Sequence, residues 1–261
     1  KEPALESIHR IHFFSMIFIK NGRGNHMIDF RDVKYQPRDI LFIADKQVHQ
    51  FRVHSDTKGY ITPFTQEFLY HNESDQNILQ NYRLFDYSLN SPKISLSQES
   101  FNRLEWLFDE LFSEHDRSAK SELQSEITRS LLKTILLTAE REKRKMFSHA
   151  EHNLNYPDFV KFKSSLERNF CFTRNVSDYS RMLGISSQKL NQLTKKILNQ
   201  TAKTFIDERV IIEAKRLLAH TNLSAKEISE AVGFDEPTNF NKYFKRHTKQ
   251  TPRSFRQIQK S

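Results

Sequence analysis

The pattern of hydrophobic and polar positions first indicates a β-rich region. Over residues 11–70, short stretches rich in Phe, Ile, Val and Tyr are separated by turn residues such as Gly22, Gly24 and Pro37. The predicted strands are Ile11–Ile19, His26–Phe30, Val33–Tyr35, Asp39–Ile43, Val48–Val53 and Tyr60–Phe64. Many short strands at this spacing favour a sandwich or a barrel. Residues 71–95 are polar and indicate no element.

From Gln98 onward, apolar residues recur at the spacing of a helix. Two amphipathic helices are predicted, with Phe101, Leu104, Phe108 and Leu111 on one and Leu123, Ile127, Leu131 and Ile135 on the other. Leu132 and Leu136 widen the apolar stripe of the second helix. We therefore expect these helices either to cap the core of the sheet or to form a dimer interface.

A break in the pattern predicts a domain boundary. Residues 148–157 carry Asn153, Asn155 and Pro157 and are the predicted linker, after which Asp158 is a predicted N-cap. The expected fold class is α+β: a β-barrel domain with two helices over residues 1–147, and an all-helical domain over residues 158–261.

A motif of helix, glycine turn and helix occurs twice in the second domain. The copies run Asn175–Lys196 and Ser224–Arg246, and Gly184 aligns with Gly233. Asn175 and Ser224 are good N-caps for the first helices, and each glycine allows the positive φ that ends a helix. The copies predict two helix-turn-helix units, with Ser186 and Asp235 capping their second helices.

The second helix of each unit has an apolar inner face and a polar outer face. Amide side chains can pair with adenine and lysine with guanine, so such a face suits the reading of base edges. Hydroxyl and cationic side chains are better placed for phosphates. The candidates for phosphate contacts are Ser187, Lys195, Lys196, Lys245, Arg246 and Arg253. A long apolar helix at Ala202–Thr221 is expected to join the units rigidly, at the roughly 34 Å that separates adjacent major grooves.

Charge supports this division of the chain. Residues 158–261 hold 20 Lys and Arg against 10 Asp and Glu, whereas the chain as a whole has a net charge of +9. A basic domain of this kind is typical of a polyanion binder. Cys171 is the sole cysteine of the sequence, which excludes an intramolecular disulfide and fits a reducing, cytoplasmic environment. The longest apolar run, at Phe13–Ile19, is too short to span a membrane.

Residues 158–258 resemble the DNA-binding domain of the AraC/XylS family of bacterial transcription regulators. The resemblance is carried by Glu208-Arg209, Ala214-x-x-Leu217-Leu218, Gly233-Phe234, Tyr243-Phe244-Lys245 and Thr251-Pro252-x-x-Phe255-Arg256. It implies base contacts from Gln188, Asn191 and Gln192 in the first unit and from Thr238, Asn241 and Lys242 in the second. Where the family usually has glycine after each second helix, this chain has Asn199 and Lys249. Lysine tolerates the left-handed conformation less well, so we expect an adjusted second turn.

The first 70 residues resemble the cupin-like sensor domain of the same family, through segments that include Asp39–Ile43 and Gln47–Phe51. The resemblance implies a jelly-roll barrel whose interior can hold a small ligand. Phe14, Met16, Phe18 and Ile28 are the candidate lining of such an effector pocket. His26, His49 and His54 do not form a metal-binding pattern, and each is expected in a turn or at the surface. We expect no metal, no cofactor and no enzymatic activity.

The expected function is a sequence-specific transcription regulator controlled by a small molecule or a partner at the N-terminal domain. The expected partners are double-stranded DNA, a small-molecule effector, a second copy of the chain and, for an activator, RNA polymerase. The expected location is the bacterial cytoplasm, at the nucleoid. The alternatives are an effector-free regulator, a nonspecific architectural DNA-binding protein and a metal-dependent cupin enzyme with a DNA-binding tail.

Overall fold

The computed structural model describes residues 9–50, 56–70, 82–86, 91–117, 121–146 and 156–260. They form two compact units, the first described over residues 11–146 and the second over residues 9–10 and 156–260. The predicted linker, residues 148–157, lies outside the described residues except for Tyr156 and Pro157, which begin a helix. Asp158 therefore lies in the first turn of that helix, and its prediction as the N-cap was wrong.

The first unit is β-rich, as predicted. Strand β1 (His9–Arg10) comes before its residues and belongs to the second unit. The described strands of the first unit are β2 (Phe14–Asn21), β3 (Gly24–Ile28), β4 (Arg31–Tyr35), β5 (Asp39–Ile43), β6 (Val48–Gln50), β7 (Lys58–Phe64) and β8 (Lys93–Ser95). Within this unit they form two sheets, ordered β6-β3-β4 and β7-β2-β5-β8. Strand β2 runs antiparallel to β5 and β7, and β3 runs antiparallel to β4 and β6. Val53, in the predicted Val48–Val53 strand, lies outside the described residues.

Alternation along β2 and β5 divides the first unit into two apolar clusters, because successive side chains in a strand point to opposite faces. Ile17, Leu41 and Ile43 pack with Ile28 of β3 in the space between the sheets. Met16, Phe18 and Phe42 lie on the other face of their sheet, beneath helices. The helices therefore cap one sheet, and they do not contribute to the cluster between the two sheets.

Three helices are described in the first unit: α1 (Gln66–Leu69), α2 (Gln98–His115) and α3 (Glu122–Lys145). Leu132, Ile135 and Leu136 of α3 are buried in the cluster beneath the helices. Leu123 and Ile127, which were predicted to face inward, are 73% and 46% exposed. The inward stripe of α3 is therefore rotated from the predicted one. Leu132 and Leu136, on which the predicted dimer interface rested, belong to the unit's own core.

Over residues 156–260 the second unit is built from helices. Its helices are α4 (Tyr156–Asn169), α5 (Val176–Met182), α6 (Ser187–Leu198), α7 (Ala202–His220), α8 (Ala225–Ala231), α9 (Pro237–Thr248) and α10 (Pro252–Lys260). The α+β class is thus confirmed. No helix in the described ranges combines the length and the apolar character that crossing a membrane requires.

Candidate nucleic-acid interface

The first helix-turn-helix unit is α5, the turn at Gly184 and α6. Gly184 has a φ of +65°, which lets the chain reverse between the two helices. Tyr179 of α5 and Leu190 of α6 are fully buried between them. Small Ser180 is buried where the helices cross, and its hydroxyl lies 3.0 Å from the hydroxyl of Ser187. The hydroxyl of Ser187, a predicted phosphate ligand, is therefore already bonded inside the unit.

The outer face of α6 carries four of the predicted DNA-contacting side chains. Gln188, Gln192, Lys195 and Lys196 are all exposed. None of them forms a hydrogen bond or an ion pair with the described part of the chain. Lys189, at the edge of this face, is also exposed, and the sequence did not single it out as a DNA contact.

Asn191 differs from the other predicted base-reading residues because its amide is already bonded. Its Nδ2 donates to the Ser187 carbonyl at 3.1 Å, and its Oδ1 accepts from the Ala202 backbone N–H at 3.0 Å. Ala202 is the first residue of α7, where backbone N–H groups have no partner within the helix. Asn191 thus joins α6 to the start of the linking helix and is half-buried.

The second unit of the pair is α8, the turn at Gly233 and α9. The capping box of Ser224 and Glu227 is present, and Gly233 has a φ of +82°. The N-cap of α9 is Glu236 rather than the predicted Asp235, because the helix begins at Pro237, a residue suited to the first turn. The predicted DNA-contacting residues here are all exposed: Thr238, Asn241, Lys242, Lys245, Arg246 and Arg253.

Asn241 occupies the position in α9 that Asn191 occupies in α6. The residue equivalent to Ala202 is Pro252, the first residue of α10, which has no N–H to donate. The amide of Asn241 accordingly forms no hydrogen bond with the described residues and is exposed. Two equivalent asparagines therefore differ in what they can offer to DNA.

Helix α7 is held against the second helix-turn-helix unit by a buried hydrogen bond. Tyr243 of α9 donates to Asp207 of α7 at 2.7 Å. Burial and this bond raise the pKa of Tyr243 well above its ordinary value. His247 lies 3.8 Å from the same carboxylate, yet burial lowers its pKa, so it is uncharged at neutral pH. The cations of α9 that can meet phosphates are therefore its lysines and Arg246.

A second connection joins the two helix-turn-helix units directly. Arg174, just before α5, donates to the carbonyl of Gly233 at 2.6 Å, and its guanidinium lies 3.9 Å from the ring centroid of Phe234. A side chain at Gly233 would place its Cβ 1.9 Å from the carbonyl oxygen of Cys171. The turn of the second unit therefore packs closely against the chain that leads into the first.

Both second helices end in a residue with left-handed backbone. Asn199 has a φ of +55° and Lys249 a φ of +62°, and the N–H of each bonds to the carbonyl four residues earlier. The expectation of an adjusted second turn was wrong. Lysine adopts the conformation that asparagine adopts in the first unit, because the helix end requires it.

The four candidate pocket residues of the first domain do not come together. Phe14, Met16 and Phe18 lie beneath the helices, whereas Ile28 lies between the sheets. The prediction that they line one cavity was wrong, because the sequence does not show which face of β2 meets the other sheet.

The prediction that each histidine lies in a turn or at the surface was wrong for two of the three. His26 and His49 are buried, with His26 Nε2 3.1 Å from His49 Nδ1. His54 lies outside the described residues. Within the described residues, no three His, Cys, Asp or Glu side chains are grouped so that they could hold a metal.

Comparison with known proteins identifies both compact units of the chain. Residues 7–132 match the family model of the AraC-like ligand binding domain, and residues 179–258 match that of a helix-turn-helix domain. Together the two matches span well over half of the chain. The chain belongs to the AraC family of transcription regulators. It is a DNA-binding regulator with an effector-binding domain, as the sequence predicted.

Named relatives align along most of the chain. The HTH-type transcriptional activator RhaR of Cronobacter sakazakii is 23% identical, over 95% of this chain and 86% of its own length. The uncharacterized HTH-type transcriptional regulator YfiF of Bacillus subtilis is 24% identical, over 97% of this chain and 79% of its own length. Among solved structures, apo ToxT of Vibrio cholerae matches 96% of this chain and 90% of its own, at 11% identity and a TM-score of 0.46.

Proposed function

We propose that the second domain reads DNA by placing α6 and α9 in two successive major grooves. The observation that carries this proposal is the pair of exposed polar faces on equivalent helices, joined through α7. Gln188 and Gln192 would read bases in one groove, and Thr238, Asn241 and Lys242 in the other. Asn191 and Ser187 are left out because their side chains are bonded within the fold.

The cations that surround these faces would hold the phosphates. Lys195, Lys196, Lys245, Arg246 and Arg253 are exposed and lie on or beside the two reading helices. Phosphate contacts supply affinity and register, whereas base contacts supply specificity. The amides of α6 and the mixed face of α9 would then read different base patterns.

We further propose that the protein regulates transcription in the bacterial cytoplasm, at the nucleoid, without enzymatic activity. Relatives of this chain are named transcriptional activators, which supports activation and makes RNA polymerase an expected partner. A small-molecule effector at the first domain would favour one of two arrangements that differ in DNA affinity.

A homodimer would form through the exposed stripe of α3. Leu123, Ile127 and Leu137 lie at helical spacing on this face, and Leu137 is 57% exposed. Exposed apolar residues grouped in this way are typical of an interaction surface. This stripe replaces Leu132 and Leu136, which the sequence had suggested for the same purpose.

Binding to a duplex selected from a random library tests the main proposal. Its dissociation constant should be smaller than that of a scrambled duplex by a factor of about 10³ or more at fixed salt. A nonspecific architectural protein would bind both duplexes alike, and that outcome would contradict the proposal.

Single substitutions separate base reading from phosphate contact. Gln188→Ala and Lys242→Ala should each relax the preference at a few base pairs, by about 1–3 kcal/mol. Lys195→Ala should weaken binding to all sequences equally and reduce the slope of log affinity against log salt by about 1. An unchanged base preference in both reading variants would contradict the assigned roles.

A further inference from the structure

A cleft of about 510 Å³ opens in the first unit, along β7 and the adjoining ends of α2 and α3. Small-molecule sites usually have volumes of about 300–1,000 Å³. β7 is an edge strand of its sheet in the described residues, so the cleft follows a strand edge. The cleft is separate from the apolar cluster between the two sheets.

Most of the cleft wall is apolar and aromatic. The side chains that define it are Phe64, Phe68, Leu111, Phe112 and Leu132. No Lys, Arg, Asp or Glu lines the cleft in the described part of the chain. Burying a charge there would be unfavourable, since no opposite charge is present to pair with it. His115 also lines the cleft and is exposed.

Thr62 places a buried hydroxyl group at the cleft, and the described part of the chain gives it no hydrogen-bond partner. It is 8% exposed, lines the cleft, and its Oγ1 has no hydrogen-bond partner in the described residues. Two other polar side chains that line the cleft are already bonded: Thr65 caps α1, and Gln124 donates to the Glu114 carbonyl at 2.7 Å. A buried hydroxyl without a partner is unfavourable, and a ligand can relieve that cost.

We propose that this cleft binds the effector, an uncharged and largely apolar molecule whose hydroxyl or carbonyl group bonds to Thr62. The proposal rests on the regulator function, because it gives the ligand-binding domain a site and a ligand class. Ser125 and Thr128 of α3 line the cleft, while Ile127 lies on the exposed stripe of the same helix. A bound molecule would fix the position of α3 relative to β7 and so affect the proposed dimer face.

The test measures binding of 2-naphthol to the full chain by titration calorimetry. This probe is uncharged and aromatic and carries one hydroxyl. It should bind one per chain, and naphthalene-2-sulfonate should bind at least about tenfold more weakly, because its charge would be buried without a partner. Absence of 2-naphthol binding, or equal binding of both probes, would overturn the proposal.

Two substitutions locate the site. Thr62→Val keeps the β-branched shape and should weaken 2-naphthol binding about fivefold while leaving the fold intact, since it removes an unsatisfied hydroxyl. Ser125→Phe should fill the cleft and abolish binding, whereas Asn102→Phe, at an exposed position of α2 that does not line the cleft, should not. Unchanged binding in the first two variants would also overturn the proposal.

DNA binding by the same preparations separates this proposal from the proposed function. A protein that selects its operator but binds no probe would show that the effector site is wrong and DNA reading is right. A protein that binds the probe but does not select an operator would show that the effector site is right and the proposed DNA reading is wrong.

Discussion

At the scale of single residues, equivalent positions of the two helix-turn-helix units do different work. Asn191 and Asn241 are the same residue at the same place in α6 and α9. The partner of Asn191 is a backbone N–H, and Pro252 removes that partner from Asn241. Side-chain type alone therefore does not identify a base-reading residue.

Asn191→Ala should destabilise the second domain by about 1 kcal/mol, the cost of losing a capping hydrogen bond. Asn241→Ala, as the matched control, should change the free energy of unfolding by less than about 0.5 kcal/mol. It should instead relax base preference, which Asn191→Ala should leave intact. Urea unfolding followed by circular dichroism, together with selection from a random duplex library, measures both effects. Equal destabilisation by the two substitutions would contradict the assignment.

The two turn glycines make a second matched pair. A Cβ at Gly184 would meet nothing within 4 Å, whereas at Gly233 it would meet the backbone of Cys171. Gly184→Ala should therefore cost only the strain of a positive φ, about 1–2 kcal/mol. Gly233→Ala adds a steric clash and should cost about 3 kcal/mol or more. Urea unfolding of the two variants compares these costs, and similar values would show that the Cys171 contact is easily relaxed.

At the scale of elements, periodicity located most helices and strands but did not decide which face was buried. The predicted strand His26–Phe30 ends early because Asp29 and Phe30, neither of them glycine, take positive φ in a two-residue turn. β8 was missed because its Lys93 and Ser95 are polar; both bond to buried Asp39 from another strand. The helix-turn-helix units were predictable because glycine, caps and apolar spacing act locally. The Asn191 bond and the Thr62 cleft depend on tertiary contacts that no local pattern contains.

The exposed stripe of α3 carries the element-scale prediction. Leu137→Glu should lower the dimer fraction at a given concentration, because it would bury a carboxylate in an apolar interface. Asn102→Glu adds the same charge on α2 and should leave the dimer unchanged. Sedimentation equilibrium measures the dimer fraction of each variant. A wild-type protein that stays monomeric, or a Leu137→Glu variant that dimerises normally, would contradict the proposed interface.

At the scale of the whole molecule, the net positive charge lies in the second domain. The first domain instead contains a deeply buried lysine. Lys143 is 1% exposed, and its Nζ donates to the carbonyls of Ser91 and Lys93. Burial lowers its pKa to about 8. Above that pH the unfolded chain binds more protons than the folded one, since an unburied lysine has a pKa of about 10.4.

The free energy of unfolding of the first domain should therefore rise between about pH 8 and pH 10, by at most about 3 kcal/mol. Above about pH 10 the trend should reverse, because burial also raises the pKa of Tyr82 in the folded state. Fluorescence of Trp106, the one tryptophan of the sequence, reports unfolding of this domain. Lys143→Met should remove the rise. If the free energy of unfolding still rises with pH in this variant, an ionisable group other than Lys143 causes the rise.

The contact between Gly233 and the Cys171 backbone has a consequence for the operator. Arg174 and Asp207 add further bonds between the parts that carry the two reading helices. Inserting one base pair between the two half-sites would turn the second half-site by about 34° around the duplex axis. A protein with a loose joint could follow that rotation, but one with this packed joint would have to break the contact or leave one half-site unread. The spacing within its operators should therefore be nearly invariant, even where individual bases differ.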